Sequence, residues 1–228
     1  MKALSVLVLL SGIACAHAQN VDDLPLNEVP AANGTSQTLA LFVTGDGGWA
    51  ALDRGVSARL AEQGIATVGL DARSYFWHQK TLDQTTRDVE RVLRHYLHAW
   101  HRSQILLIGY SFGADVLPAV INRLPPDLRG RINALSLLGV ESTMSLEVHI
   151  ADWLPGVGSR GPPVAPELLA LSKLPVQCIY GEGEHGSLCV MLPQGHHVTV
   201  ERIGGGHHFG RDYTFLADRI LAFAQAQH

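Results

Sequence analysis

The sequence lacks a large excess of charge of either sign, and it has no hydrophobic run long enough to span a bilayer comfortably. Its 228 residues carry a formal net charge of −4, which argues against a nucleic-acid-binding protein and against a basic membrane-binding surface. No internal repeat or low-complexity tract is visible. The chain does have 46% hydrophobic and 17% charged residues, which is typical of a globular domain with a substantial core.

The N-terminus, residues 1–18, has the pattern of a cleaved secretory signal peptide. One lysine is followed by a mainly apolar stretch over residues 3–14 and by an A-x-A cleavage site at residues 16–18. Cys15 offers the alternative of a lipid anchor, but a glycine stands three residues before it, where a lipobox has leucine. We therefore expect a single exported domain over residues 19–228, in the periplasm or outside the cell.

Two cysteines remain in this expected mature chain, Cys178 and Cys189. Exported compartments are oxidising, so we expect the two to form a disulfide that closes the short loop of residues 179–188. The alternative is a pair of buried free thiols, which fits an oxidising compartment less well.

Short apolar runs alternate with helix-compatible segments along the rest of the chain. The predicted strands comprise residues 39–44, 65–70, 104–109, 132–138, 175–180 and 198–203. The predicted helices comprise residues 52–63, 82–101, 114–122, 166–172 and 213–224. The polar lead-in before them is expected to be extended, with at most one edge strand. The alternation predicts an α/β fold, in which helices cover both faces of a mostly parallel sheet and active groups lie at the carboxyl ends of the strands.

The central motif is G-Y-S-F-G at residues 109–113, between a predicted strand and a predicted helix. Strand, tight turn and helix are the context that a nucleophile elbow requires, with Ser111 at the apex of the turn. The two glycines avoid a collision with the neighbouring strand and helix. The alternative is a glycine-rich turn that carries a serine by chance, but the flanking elements favour a nucleophile.

Two histidines, His207 and His208, follow three glycines directly after the last predicted strand. In hydrolases with a nucleophile elbow, the chain order is serine, then a carboxylate, then a histidine at this place. When the usual hydrolase segment Pro-Gly-Ala-Gly/Asp-His is aligned with residues 204–208, its histidine falls on His208. We therefore predict His208 as the general base, and His207 as a substrate contact or the alternative base.

The carboxylate that orients the base is predicted to be Glu184, which stands just after the second-to-last strand. Glu182 in the same loop and Glu141 after an earlier strand are the alternatives. Two backbone N–H groups are predicted to form the oxyanion hole. One belongs to Phe112, directly after the nucleophile, and the other to Asp46, in the loop after the first core strand.

Five motifs in this order resemble the bacterial VirJ/AcvB virulence-protein family over nearly the whole mature chain. They are G-D-G-G-W at residues 45–49, Y-F-W at 75–77, G-Y-S-F-G-A-D at 109–115, C-I-Y-G at 178–181 and G-H-H-F at 206–209. The resemblance implies a periplasmic protein with an α/β-hydrolase fold, a minimal cap and a link to type IV secretion. The AcvB-type members cleave lysyl-phosphatidylglycerol, so an aminoacylated phospholipid at the membrane surface is the implied substrate.

The aromatic segment Tyr75, Phe76 and Trp77 fits a lipid substrate, because it follows a strand at the carboxyl edge of the sheet. With Trp49 and Trp153, these side chains are predicted to form a pocket rim. Aromatic side chains are more often part of a core, and that alternative stays open.

The remaining histidines raise the question of whether the protein binds a metal ion. His185, His196 and His197 add to the pair at 207–208, but adjacent histidines lack the i,i+4 spacing of a helical zinc pair and no zinc motif is present. We therefore predict neither a metal nor a cofactor. The sequence favours a periplasmic serine esterase, and the alternative is a hydrolase-fold chaperone or docking protein for type IV secretion whose triad is vestigial.

Overall fold

The computed structural model describes residues 20–34, 36–148, 161–192 and 197–227. Over these residues the chain forms one sheet of seven strands. The strands are β1 (Leu26–Val29), β2 (Thr38–Val43), β3 (Ala66–Leu70), β4 (Gln104–Tyr110), β5 (Ile132–Leu138), β6 (Val176–Gly181) and β7 (Val198–Ile203).

The sheet has the order β1-β3-β2-β4-β5-β6-β7. Strand β1 pairs with β3 in an antiparallel register, and the other pairings are parallel. Strand β4 lies at the centre, so the turn that follows it opens at the middle of the carboxyl edge. The carboxyl ends of β2, β5, β6 and β7 reach the same edge, which brings their loops around that turn.

Helices cover both faces of the sheet, as the alternating pattern predicts. They are α1 (Ala51–Glu62), α2 (Ala72–Tyr75), α3 (Leu82–Ala99), α4 (Phe112–Arg123), α5 (Pro126–Arg129), α6 (Val164–Ala170), α7 (Leu188–Met191) and α8 (Tyr213–Gln225). Because strand side chains alternate, Leu39 and Leu41 of β2 pack in the core under α3 and α4. Ala40 and Phe42 of the same strand pack in the core under α1 and α8.

The predicted α/β fold class is confirmed, and the six predicted core strands correspond to β2 to β7 within two residues at each end. The predicted edge strand in the lead-in is β1. Residues 71–80, between β3 and α3, contain the short helix α2, which the predicted helices do not include. At its start, Asp71 accepts a hydrogen bond from the Ser74 N–H. The signal peptide and Trp153 lie outside the described residues, and the minimal cap stays a prediction because residues 149–160 lie outside them too.

The predicted disulfide between Cys178 and Cys189 is confirmed, with the two Cα atoms 5.6 Å apart. It links β6 to α7 and encloses the loop that carries Glu184. Among the helices that the structure describes, we find none with the length and apolarity needed to cross a membrane.

Candidate active site

The turn after β4 has the geometry of a nucleophile elbow. Ser111 has a φ angle of 51°, in the left-handed region that non-glycine residues rarely adopt. A Cβ atom on Gly113 would lie 2.1 Å from the Val43 carbonyl oxygen, and one on Gly109 would lie 2.7 Å from the Ala114 backbone. The turn therefore needs glycine on both sides, and the strain is concentrated at the serine, as at functional sites in general.

Ser111, His207 and Glu184 form a continuous hydrogen-bonded chain. The Ser111 Oγ atom lies 2.8 Å from His207 Nε2, and His207 Nδ1 lies 2.5 Å from Glu184 Oε1. An ionised carboxylate can only accept, so Nδ1 carries the proton and Nε2 is left to accept from the serine hydroxyl. The Gly181 N–H donates to the other oxygen of Glu184 and fixes the orientation of the carboxylate.

The prediction that His208 faces the serine is wrong by one residue. His208 Nδ1 instead lies 2.9 Å from the Tyr110 hydroxyl. The physical reason is the close packing of two glycines, because a Cβ atom on Gly181 would lie 2.2 Å from the Gly206 carbonyl oxygen. Gly206 is therefore held against the end of β6, next to the loop that carries Glu184, and His207 directly after it pairs with that carboxylate. His207, predicted as a substrate contact or the alternative base, takes the position facing the serine.

Gly139, at the end of β5, is a site residue that the sequence analysis missed. It has a φ angle of +62°, and a Cβ atom on it would lie 2.9 Å from His207 Cε1 and 3.2 Å from Glu184 Oε1. The missing side chain therefore makes room for the histidine–carboxylate pair. One glycine among 23 gives no sequence signal for this role.

The electrostatic surroundings of His207 stabilise its protonated, positively charged form more than bulk water would. Burial is the largest single influence on His207 and opposes its protonation. The hydrogen bond and charge of Glu184, with the charges of Glu141 and Asp46, outweigh burial and raise the pKa of His207 above its ordinary value of 6.5. Burial also acts most strongly on Glu184 and favours its neutral form. The hydrogen bonds from His207 and from the Gly181 N–H, with the nearby histidines, nevertheless lower the pKa of Glu184.

The two predicted oxyanion-hole residues, Phe112 and Asp46, both lie close to Ser111. Phe112 is the first residue of α4, where a backbone N–H has no acceptor within the helix. The loop that carries Asp46 is held against this helix, because the Gly113 N–H donates to the Thr44 carbonyl at 3.1 Å. A Cβ atom on Gly45 would lie 3.3 Å from the Ser111 Cβ, so this loop passes close to the nucleophile.

An open cleft of about 820 Å³ lies over the serine. It is lined by acidic, basic and neutral polar side chains, which include Asp46, Glu141, His208, Arg211 and Tyr213. Of the three carboxylates proposed to orient the base, Glu184 contacts a histidine, whereas Glu141 lines the cleft and Glu182 pairs with Arg202 at the surface. Within the described ranges, no cluster of three His, Cys, Asp or Glu side chains could hold a metal ion.

Most of the predicted aromatic rim is part of the core instead. Tyr75 and Phe76 are buried, because α2 turns them inwards. Tyr75 donates to Asp88, and Phe76 packs on Phe112 with ring centroids 4.8 Å apart. Trp77 is exposed over 47% of its surface and is the member of this segment that stays available to a ligand.

Trp49 also packs on the sheet. A Cβ atom on Gly69 would lie 2.1 Å from its ring, and the Trp49 ring meets that of Phe42 edge-on at 6.3 Å. The aromatic side chains that line the cleft, within the described part of the chain, are Tyr110 and Tyr213. The sequence signalled neither, since Tyr110 occupies the variable second position of the elbow motif.

Three solved structures illustrate what the chain is similar to. MenH from S. aureus is 13% identical, with a TM-score of 0.64 over 89% of this chain and 98% of that one. Est1E from Butyrivibrio proteoclasticus is 18% identical, with a TM-score of 0.63 over 90% and 96%. An α/β serine hydrolase homologue from Coxiella burnetii is 16% identical, with a TM-score of 0.61 over 86% and 89%. At these identities the likeness shows the fold alone, and it is the α/β-hydrolase fold.

Comparison of the sequence with models of protein families identifies the family of this chain. No curated protein matches the chain significantly. Residues 37–228, however, match the family model VirJ, described as bacterial virulence protein. This match covers most of the chain and includes the elbow, the carboxylate and both histidines. The chain therefore belongs to the VirJ family of bacterial virulence proteins and has a hydrolase-like site on an α/β-hydrolase fold.

Proposed function

We propose that the protein is a serine esterase whose triad is Ser111, His207 and Glu184. The observation that carries this proposal is the hydrogen-bonded chain from the Ser111 hydroxyl through both nitrogens of His207 to the carboxylate. A base within hydrogen-bond reach of the nucleophile, oriented by a third group, is the arrangement that activates a serine.

The reaction follows from this geometry. As Ser111 Oγ attacks the ester carbonyl, its proton passes to His207 Nε2, and Glu184 stabilises the imidazolium through Nδ1–H. The N–H groups of Phe112 and Asp46 are the proposed donors to the oxyanion. His207 then returns the proton to the leaving alcohol, which leaves an acyl-enzyme. Water, deprotonated by the same imidazole, attacks that ester and releases the acid and the free serine.

The proposed substrate is an aminoacylated phospholipid, with lysyl-phosphatidylglycerol as the specific candidate. Such an ester has ammonium groups on its acyl side and a phosphate on its alcohol side. The cleft has groups of opposite charge for both parts of the substrate. Asp46 and Glu141 are carboxylates near His207, and Arg211 is a cation in the lining of the same cleft. Membership of a virulence-protein family supports the further proposal of a periplasmic protein that acts at the membrane surface in connection with type IV secretion.

The test is release of lysine from vesicles that contain lysyl-phosphatidylglycerol. The wild-type protein should release it, and Ser111→Ala should lower the rate by roughly 10⁴-fold or more, the typical effect of losing a triad serine. Ser172→Ala, which alters an exposed serine away from the cleft, is the matched control and should retain full activity.

The same experiment separates the alternatives. Hydrolysis of an activated ester such as p-nitrophenyl acetate without release of lysine would contradict the proposed substrate but support the proposed esterase activity. No serine-dependent hydrolysis of either ester would overturn the enzyme and favour a chaperone or docking protein of type IV secretion.

A further inference from the structure

The Tyr110 hydroxyl contacts two consecutive residues of the histidine loop. Its Oη atom lies 3.1 Å from the His207 carbonyl oxygen and 2.9 Å from His208 Nδ1. The Tyr110 ring also lies against the His207 ring, with centroids 5.2 Å apart and planes inclined by 33°. One side chain therefore touches both the backbone and the ring of the residue that faces Ser111.

The direction of these hydrogen bonds can be worked out from the donors available. A carbonyl oxygen only accepts, and a tyrosine hydroxyl has a single proton. If that proton pointed to His208, the Tyr110 oxygen and the His207 carbonyl oxygen would be in contact with no hydrogen between them, and their lone pairs would repel each other. Both contacts are satisfied together only if Tyr110 donates to the carbonyl and His208 donates from Nδ1–H to Tyr110. Burial, the largest influence, raises the pKa of Tyr110 and keeps the hydroxyl protonated.

The tyrosine is a firm anchor for the loop. It is the last residue of the central strand β4 and pairs with Leu138 of β5. Only 8% of its surface is exposed, and a Cβ atom on Gly45 would lie 3.3 Å from its ring. The same residue directly precedes Ser111, so the nucleophile and the anchor share one rigid segment.

The histidine loop needs such an anchor. It begins with three glycines, which resist ordering more than other residues do. It then continues through Phe209 and Arg211, whose φ angles of 50° and 62° are unfavourable for residues with side chains. Phe209 is buried in the core and fixes the far end of the loop. The histidines between the glycines and Phe209 are held by contacts with their neighbours.

We propose that Tyr110 and His208 are positioning residues, which form a hydrogen-bonded clamp that holds His207 in line with Ser111. The clamp fixes His208 with its proton on Nδ1, so the unprotonated Nε2 of this exposed, cleft-lining side chain is an acceptor for a donor group of the substrate, such as an ammonium. The kinetic part of this inference rests on the esterase proposed above. The hydrogen-bond directions do not depend on it.

The first measurement is the tautomer of His208, from long-range ¹H–¹⁵N correlation spectra of the ¹⁵N-labelled protein. The wild type should show the Nδ1–H form. Tyr110→Phe should shift His208 towards the Nε2–H form, which is usual for imidazole in water. A wild-type His208 in the Nε2–H form would overturn the clamp, whatever the catalytic activity.

The second measurement is the rate at which a fluorophosphonate labels Ser111 in a set of His208 variants. An asparagine amide can take the place of Nδ1–H, whereas a glutamine amide lies near the position of Nε2. His208→Asn should therefore restore most of the labelling rate that His208→Ala loses, but it should show a raised KM for a cationic ester. His208→Gln and His208→Ala should label roughly 3- to 10-fold more slowly, the size expected for one lost neutral hydrogen bond.

Tyr110→Phe removes both contacts and should be at least as slow as His208→Ala, and the double variant should be no slower than Tyr110→Phe alone. Equal labelling of the asparagine, glutamine and alanine variants would overturn the positioning role. Near-ultraviolet circular dichroism excludes misfolding as the cause of slow labelling. If the wild-type protein shows the Nδ1–H form of His208 but is not labelled by the fluorophosphonate, the esterase proposal is contradicted. The hydrogen-bonded clamp is then still supported.

Discussion

Gly139 and His207 approach so closely that a Cβ atom on the glycine would lie 2.9 Å from the imidazole ring. Gly139→Ala is therefore expected to displace His207 from Ser111, as well as to cost about 1 kcal/mol because of the positive φ angle. Fluorophosphonate labelling should slow by at least about 10-fold, since a small displacement from the productive geometry has large effects on rate.

Gly204→Ala is the matched control for this substitution. Gly204 lies in the histidine loop, and an added Cβ would meet nothing within 4 Å. The control should label normally. Equal, wild-type rates in the two variants would show that the space beside the imidazole is not needed.

The pH dependence of activity should report the raised pKa of His207. The base acts only when neutral, so kcat/KM should rise with pH through a value above 6.5. Glu141→Gln removes a negative charge that favours the imidazolium, so it lowers the pKa of His207 and moves the acidic limb of the profile to lower pH. Glu182→Gln, which alters a carboxylate paired with Arg202 at the surface, should leave the limb in place. A limb that stays fixed in the Glu141 variant would refute this electrostatic assignment.

The disulfide is expected to support both stability and the site. Replacing Cys178 and Cys189 together by alanine should lower the free energy of unfolding by on the order of 3 kcal/mol, because the unfolded chain regains the entropy of the closed loop. It should also slow the labelling of Ser111, since the loop carries Glu184. Thermal unfolding with and without reductant measures the first effect. The wild type should lose stability on reduction, and a double variant as stable as the oxidised wild type would contradict the expectation.

Asp53 should make the protein less stable at neutral pH than at mildly acidic pH. Its side chain is buried in α1, and one of its oxygens has no hydrogen-bond partner among the described residues. Burial is the main cause that raises its pKa from 3.8 to about 6. The folded state therefore binds the proton more tightly than the unfolded state, and this contribution is lost as the pH rises from about 4 to about 6.

Asp53→Asn removes this penalty. Relative to the wild type, the variant should gain up to about 3 kcal/mol of stability between pH 4 and pH 8, as measured by urea unfolding. Asp83→Asn, at an exposed position near the start of α3, is the control and should show no comparable gain. A difference between Asp53→Asn and wild type that does not change with pH would rule out this ionisation.

Much of the site could be predicted because its chemistry is local in sequence. Ser111 needs a glycine on each side and a strand-to-helix turn, and all of these are consecutive residues. Glu184 follows a strand at a fixed place in this chain order. The disulfide followed from the expected compartment and from the presence of two cysteines.

The rest depends on contacts between distant segments. The choice of His207 over His208 depends on how the histidine loop packs against the end of β6 and on the contact of His207 with Glu184. A run of glycines carries no pattern that would fix this register. The inward orientation of Tyr75 and Phe76 is set by α2, a four-residue helix too short to show periodicity. The roles of Gly139 and Tyr110 appear only when β4, β5 and the histidine loop are brought together.

The most direct test of the triad is intact-mass analysis of the protein after reaction with a fluorophosphonate. One adduct on Ser111 is expected in the wild type. None is expected within the same time in Ser111→Ala or His207→Ala, because an unactivated serine does not react. His208→Ala should still label, only more slowly. Full labelling of His207→Ala together with none in His208→Ala would contradict the assignment of His207 as the base. Full labelling of both variants would show that neither histidine activates Ser111. The esterase proposal would then be rejected in favour of a binding protein.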